Sequence, residues 1–192
     1  MKRTLIALSC LLSTTMVQAN VVTFEDSTVG AGDALSAGYS GFNWGDTYLA
    51  DESFGVGYLT GSASGSKAAY GSQVWGSNIQ WANTDTFNFV GAYWTISRST
   101  ASIRFEGFND GVRLFQNSNQ AINSSSPTWI ELNWSGIDQL KIYQTGVNPW
   151  VMDDFTYNIA SSGAVPEPAT LALLTLGLTG MGVARRRKSH TA

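Results

Sequence analysis

One cysteine and one histidine are all that the 192 residues contain. Cys10 and His190 lie in the terminal segments, so residues 20–163 have neither. Ser-His-Asp and Cys-His catalysis, His or Cys zinc sites and disulfides are therefore excluded from that stretch. Carboxylate chemistry and hard, oxygen-bound metals are left. Positive charge is also scarce there: five Lys and Arg stand against thirteen Asp and Glu, a net charge of −8. Nucleic-acid binding calls for a basic surface and is excluded on that ground. The chain is too short for a TIM barrel and, at 43% hydrophobic, too apolar for a disordered polymer. One domain is expected.

The ends read as addresses. Residues 1–19 have the form of a secretory signal peptide: Lys2 and Arg3, an apolar stretch from Leu5 to Val17, and the small-residue site Val17-Gln18-Ala19. Cleavage is expected before Asn20. Ala7-Leu8-Ser9-Cys10 is a poor lipobox, which argues against a lipoprotein. At the other end, residues 161–165 form a small-residue linker. Pro166-Glu167-Pro168 follows, then an apolar helix over 169–184 and the basic cluster Arg185-Arg186-Arg187-Lys188. The helix has 16 residues without a charge, just short of the roughly 17–25 that span a bilayer. The basic cluster should hold its far end in the cytoplasm, leaving the preceding domain outside the inner membrane. Gly177, Gly180 and Gly182 weaken this helix, which suits a temporary anchor.

The tail over 166–188 resembles the PEP-CTERM sorting signal of Gram-negative bacteria. Pro166, Glu167 and Pro168, the apolar helix, and Arg185, Arg186 and Arg187 carry the likeness in the right order. It implies export by the secretion machinery, transient inner-membrane anchoring, and processing by an exosortase near the PEP motif. The product would reach the cell surface or the extracellular matrix. Proteins with this tail are associated with exopolysaccharide, biofilm and floc.

The middle, 20–160, reads as one all-β domain, an antiparallel β-sandwich of jelly-roll type. No helical period persists for ten residues, and short β-rich runs recur between Gly, Asn, Ser and Asp. The clearest runs are Thr86 to Ile96, Ala101 to Phe108 and Val112 to Gln116. Asn109-Asp110-Gly111 joins the last two as a hairpin turn. Trp129 to Trp134, Gln139 to Tyr143 and Val151 to Tyr157 follow. Weaker runs are Val21 to Phe24, Ala37 to Phe42, Gly55 to Thr60, Lys67 to Tyr70 and Gln73 to Trp75. Asn117 to Pro127 is expected to be a mobile polar loop.

Three features offer chemistry. Phe24-Glu25-Asp26 near the start and Asp153-Asp154 near the end resemble β-sandwich carbohydrate-binding modules, in which such residues help enclose a structural calcium. That likeness implies one Ca²⁺ held by Glu25 with Asp153 or Asp154. Alternation along a strand would send the two aspartates to opposite faces, leaving one as the main ligand. Without a metal, these acids would stand in water or pair with Arg98, Arg104 or Arg113. The second feature is the tryptophans. Trp94 and Trp134 sit in strand patterns and belong to a core. Trp44, Trp75, Trp81 and Trp150 neighbour Gly, Asn or Pro, which places them on loops as glycan contacts, where ring faces pack against sugar C–H groups. The third is the set of acids, Asp51, Glu52, Glu106, Asp110, Glu131 and Asp138, from which a glycoside hydrolase would need two flanking one bond. Glu106 alternates with apolar neighbours and should face solvent.

Three functions compete. A non-catalytic exported module that binds or organises exopolysaccharide comes first. A structural or adhesive matrix protein, acting through protein contacts or calcium bridging, comes second. A carboxylate-dependent polysaccharide-cleaving enzyme comes third.

Overall fold

The computed structural model describes residues 19–71 and 76–159. The expected signal peptide up to residue 18, Trp75, the linker, and the sorting signal with its helix lie outside these residues. The chain divides between Ala160 and Ser161, and the described residues belong to the first unit.

In chain order the elements are β1 (Asn20–Val22), β2 (Phe42–Asn43), β3 (Thr47–Asp51), a 3-10 turn (Glu52–Phe54), α1 (Val56–Gly61), β4 (Lys67–Gly71) and β5 (Ser77–Trp81). Then come β6 (Phe87–Ile96), β7 (Thr100–Asn109), β8 (Val112–Gln116), β9 (Gln120–Asn123), β10 (Thr128–Ile137), β11 (Gln139–Gln144) and β12 (Trp150–Ile159). They form two antiparallel sheets. The first runs β10-β6-β12-β4-β3, with β1 also on β12; the second runs β2-β5-β11-β7-β8, with β9 on β7. This is the expected antiparallel β-sandwich. Its first and last strands are neighbours, with Asn20 opposite Tyr157 and Val22 opposite Phe155.

Period-two burial explains the layers. In β5, Ser77, Ile79 and Trp81 are buried while Asn78 and Gln80 are exposed. In β7, Ile103 and Phe105 enter the core and Arg104 lies on the other face. Aromatic side chains fill the space between the sheets. Phe42 meets Phe155 at 5.1 Å, and Trp94 meets Phe105 at 4.7 Å. Rings of this size bury roughly 150–250 Å² each and tilt edge to face.

The turn at Asp110-Gly111 has φ of 49° and 75°, the doubly left-handed form that a two-residue hairpin favours. Two local expectations fail. Gly55 to Thr60 is not a strand: Val56–Gly61 is helix α1, lying on the first sheet. Gly57 and Gly61 make that docking possible. A Cβ on Gly61 would run into the Val151 side chain and the Thr95 hydroxyl. Likewise, Asn117 to Pro127 is not all loop, because Gln120–Asn123 pairs with Thr100–Ile103 as β9. Ile122 supplies the buried anchor for that pairing.

Candidate functional site

The acids at the two ends of the domain meet at one loop, Ser62–Ser66, between α1 and β4. Phe24 has a left-handed backbone, φ 63°, and is fully buried. Glu25 beside it is exposed and reaches the loop from one side. Its Oε1 accepts the N–H groups of Ser66 at 2.7 Å and Lys67 at 2.6 Å. Lys67 Nζ returns to the Glu25 carbonyl at 3.0 Å. From the other side, Asp153 Oδ2 accepts the Ser64 N–H at 2.7 Å, and Asp154 Oδ1 accepts the Ser64 hydroxyl at 2.6 Å.

Both aspartates thus reach the same serine, contrary to simple alternation. The pairing of β12 with β6 slips after Asp153, and Asp154 has φ 50°. A bulge of this kind re-aims side chains. Asp153 is fully buried. Burial pushes its carboxyl up to about 7, against the pull of its bonds from the Ser64 and Asp154 N–H groups. The Asp154 charge next door adds to the rise.

Glu25, Asp153 and Asp154 do not combine into one metal cage. Among the described residues no three acidic, His or Cys side chains gather as a metal cluster. Backbone N–H and hydroxyl groups bond both oxygens of Glu25 and Asp153 and Oδ1 of Asp154, so the junction is a hydrogen-bonded clasp on the loop. Calcium takes 6–8 oxygens. At the Asp153–Asp154 pair most of them would have to come from backbone and water.

The tryptophans are placed differently from expectation. Trp44, Trp81 and Trp150 are buried, not on exposed loops. Trp44 packs at 5.4 Å from Phe24 and from Phe155, and its Nε1 donates to the Tyr39 carbonyl at 2.9 Å. Trp81 donates to Asp85 at 2.7 Å. Trp150 packs against Trp94 at 5.5 Å, over Gly71. Gly41 and Gly71 are the backbone on which the Trp81 and Trp150 rings lie. Trp94 and Trp134 are in the core as expected.

Trp129, which alternation in β10 turns outward, is the tryptophan that the sequence reading did not single out. It is 37% exposed. Its ring stands edge-on to Tyr93 at 5.2 Å. With Val21, Asp154 and Thr156 the two rings line a shallow depression of about 320 Å³ on the outer face of the first sheet. Gly91 leaves room for the Trp129 ring, which a Cβ there would meet at 2.9 Å. The signal available in the sequence was the partnership of two aromatic strands, Tyr93-Trp94 and Trp129-Ile130, each with one ring pointing out.

The remaining acids are dispersed. Glu106 is on an outer face but buried, contrary to expectation, because Arg104 and Arg113 cover it at 3.4 and 3.1 Å. Asp51 caps the 3-10 turn through the Ser53 hydroxyl and N–H, which hold its carboxyl below the usual range. Asp110 and Asp138 come together at a hollow of about 500 Å³ that Asp85 also lines. Asp138 is half-buried, and its Oδ2 accepts the Asp110 N–H at 2.9 Å, while Asp85 and Asp110 are exposed.

Residues 164–188 match the PEP-CTERM protein-sorting motif. The chain carries an exosortase sorting signal. This PEP-CTERM tail marks an exported protein that an exosortase processes and that is anchored at the membrane. No curated protein sequence matches the chain. Among solved structures, the fold is similar to that of the CBM22-1–GH10 modules of the Clostridium thermocellum endo-1,4-β-D-xylanase 10B, complexed with xylohexaose. The identity is 12% and the TM-score 0.44, over 77% of this chain. This chain spans only 29% of that one. It is also similar to TmCBM61 in complex with β-1,4-galactotriose, at 9% identity and a TM-score of 0.35, over 64% of this chain and 92% of that one. Both likenesses are of the fold alone.

Proposed function

We propose that this is a non-catalytic exported module that binds polysaccharide through the Trp129–Tyr93 face and acts at the cell surface or in the extracellular matrix. The observation that carries the proposal is the exposed Trp129 ring, braced by Tyr93 and bordered by Asp154 and Thr156. An exposed, fixed ring beside polar groups suits a sugar, whose C–H faces pack on aromatics while its hydroxyls take hydrogen bonds. The sorting tail supports delivery to a Gram-negative cell's exterior, where exopolysaccharide of biofilm or floc is the available polymer.

Calcium enters the proposal at the Asp153–Asp154 pair, with Ser64 as a neighbour and Glu25 assigned to the loop. Neither aspartate has a cation within ion-pair distance among the described residues. The acidic balance of residues 20–163 favours a second reading, in which calcium bridges copies of a matrix protein.

Co-sedimentation of the processed protein with the producing cells' own exopolysaccharide tests the first reading. Trp129→Ala should weaken retention by about tenfold or more, as truncation of an aromatic anchor does. Unchanged retention by a folded Trp129→Ala protein would refute it.

A further inference from the structure

The outer face of the second sheet concentrates positive charge on an otherwise acidic domain. Three of the five Lys and Arg in residues 20–163 project from it: Arg104, Arg113 and Lys141. They stand on adjacent strands, with Arg113 opposite Phe108. Tyr143 of β11 stands opposite Arg104 of β7, and Lys141 stands opposite Glu106. The Arg104 guanidinium lies 4.6 Å from the centre of the Tyr143 ring, and Lys141 Nζ lies 4.4 Å from that of Phe108. Cations held over rings are fixed in place while remaining open on their other side.

The acids do not balance this face. Glu106 is the carboxylate among these side chains, and both arginines share its Oε1. It is buried, whereas the side chains of Arg104 and Arg113 are 31% and 52% exposed. One positive charge is left over from the arginines, and Lys141 adds another. Asp110 and Asp138 stand at the other end of these strands, around the separate hollow described above.

Beside Arg104 the face opens into a hollow of about 590 Å³, within the range of ligand sites. Arg104, Tyr143, Asn117, Asn119 and Gln144 are among its walls, and no acid lines it. Two lining side chains hold buried polar atoms without a partner: Asn117 Nδ2 and Gln144 Oε1. Their other ends are spent, Asn117 Oδ1 on the Phe105 N–H at 2.7 Å and Gln144 Nε2 on the Asn148 carbonyl at 2.7 Å. Both atoms are shielded from solvent, so the polar groups open to a ligand are those of the exposed Gln116, Ser118 and Asn119.

We propose that this hollow is a second binding site, distinct from the Trp129 face, for acidic polysaccharide: the sugar carboxylate pairs with Arg104, and the amide and hydroxyl walls take the neighbouring hydroxyls. A domain of net charge −8 repels polyanions in general. Arg104 is the one charged residue lining the groove, and the part of its guanidinium not engaged by Glu106 therefore selects the charged sugar by position. Guanidinium is the group suited to a planar carboxylate.

The test uses the processed protein carrying Trp129→Ala, so that this site is read without the first. Alginate is the probe, a neutral β-glucan of similar length the comparison, and dextran sulfate the control for charge alone. Alginate should bind in preference to both, and its affinity should fall as salt rises. Arg104→Gln should weaken alginate at least tenfold. Asn119→Glu, a surface change that sets a repelling carboxylate at the rim, should do the same if Arg104→Gln does not fold. Alginate binding that ignores both changes, or a neutral glucan binding as well as alginate, would overturn the proposal. Equal binding of dextran sulfate would overturn its carboxylate selectivity.

Discussion

Asp153 offers the sharpest quantitative test of the clasp. The perturbation is pH, applied to calcium-free protein and to its Asp153→Asn variant. The carboxyl titrates near 7 when folded, against an ordinary value of 3.8. Between about pH 4 and 7 the folded protein keeps a proton that the unfolded chain has released. Stability must therefore fall as pH rises through that window and level off above it. Three units at about 1.36 kcal/mol each set a ceiling near 4 kcal/mol for the whole fall. The other carboxylates titrate in both proteins, so the difference between wild type and variant isolates this group. Asparagine costs one acceptor, because its amide nitrogen must face either Ser64 or Asp154. That shifts the difference by about 1–3 kcal/mol at every pH and leaves its slope untouched.

Urea unfolding followed by tryptophan fluorescence at pH 4 to 8, with chelator present, gives the two curves. The stability of wild type relative to the variant should drop by about 2–4 kcal/mol across the window. Millimolar calcium should flatten the drop if the ion displaces the proton at the Asp153–Asp154 pair. A difference that stays within about 0.5 kcal/mol from pH 4 to 8 without calcium would show that the carboxyl is not desolvated as described.

Three further outcomes follow from packing and charge. Gly61→Ala should lower stability by about 1–3 kcal/mol, since the added methyl must push α1 off Val151 and Thr95, and thermal unfolding reads this directly. Glu106→Gln should tighten alginate binding severalfold in a low-salt titration, because it frees both arginines; it should also cost about 1–3 kcal/mol of stability. If calcium bridges copies of the protein, light scattering should report a larger particle with calcium and its reversal by chelator; a size indifferent to calcium would dismiss the bridging reading.

The strands that the sequence revealed are those marked by a turn or by dense β-forming residues. Val112–Gln116 was legible to the residue because it follows an Asp-Gly turn and carries a simple pattern. Phe87–Ile96 and Trp150–Ile159 were legible through dense aromatic and β-branched residues. Thr47–Asp51 was not, because it is short and its Leu49 and Ala50 are both buried, which hides the alternation. Helix α1 was misread because Val56, Tyr58 and Leu59 look like a strand. What lets it dock as a helix is the pair Gly57 and Gly61, four apart, which brings one small face onto the sheet.

The site was less legible than the fold, and the tryptophans show why. Whether a ring is exposed depends on what lies across from it, and that information sits on a different strand. Trp150 and Trp81 each have a glycine, Gly71 and Gly41, beneath the ring. Those glycines are far from the rings in sequence, and only in space are they floors that let a large ring sink. Trp129 has a glycine too, Gly91, yet it remains half open because its side of the first sheet is not covered. Coverage of that side is set by α1 and the Ser62–Ser66 loop, which overlie Val151, Thr95 and Asp153 but stop short of Tyr93. The same clasp that buries Asp153 thus leaves Asp154 at the border of the Trp129 depression. Asp154 is therefore shared by the clasp on the loop and the proposed sugar face. Loosening the loop with Ser64→Gly, which deletes the hydroxyl bond to Asp154, should weaken glycan retention without touching either ring. Retention equal to wild type in that variant would separate the clasp from the binding face.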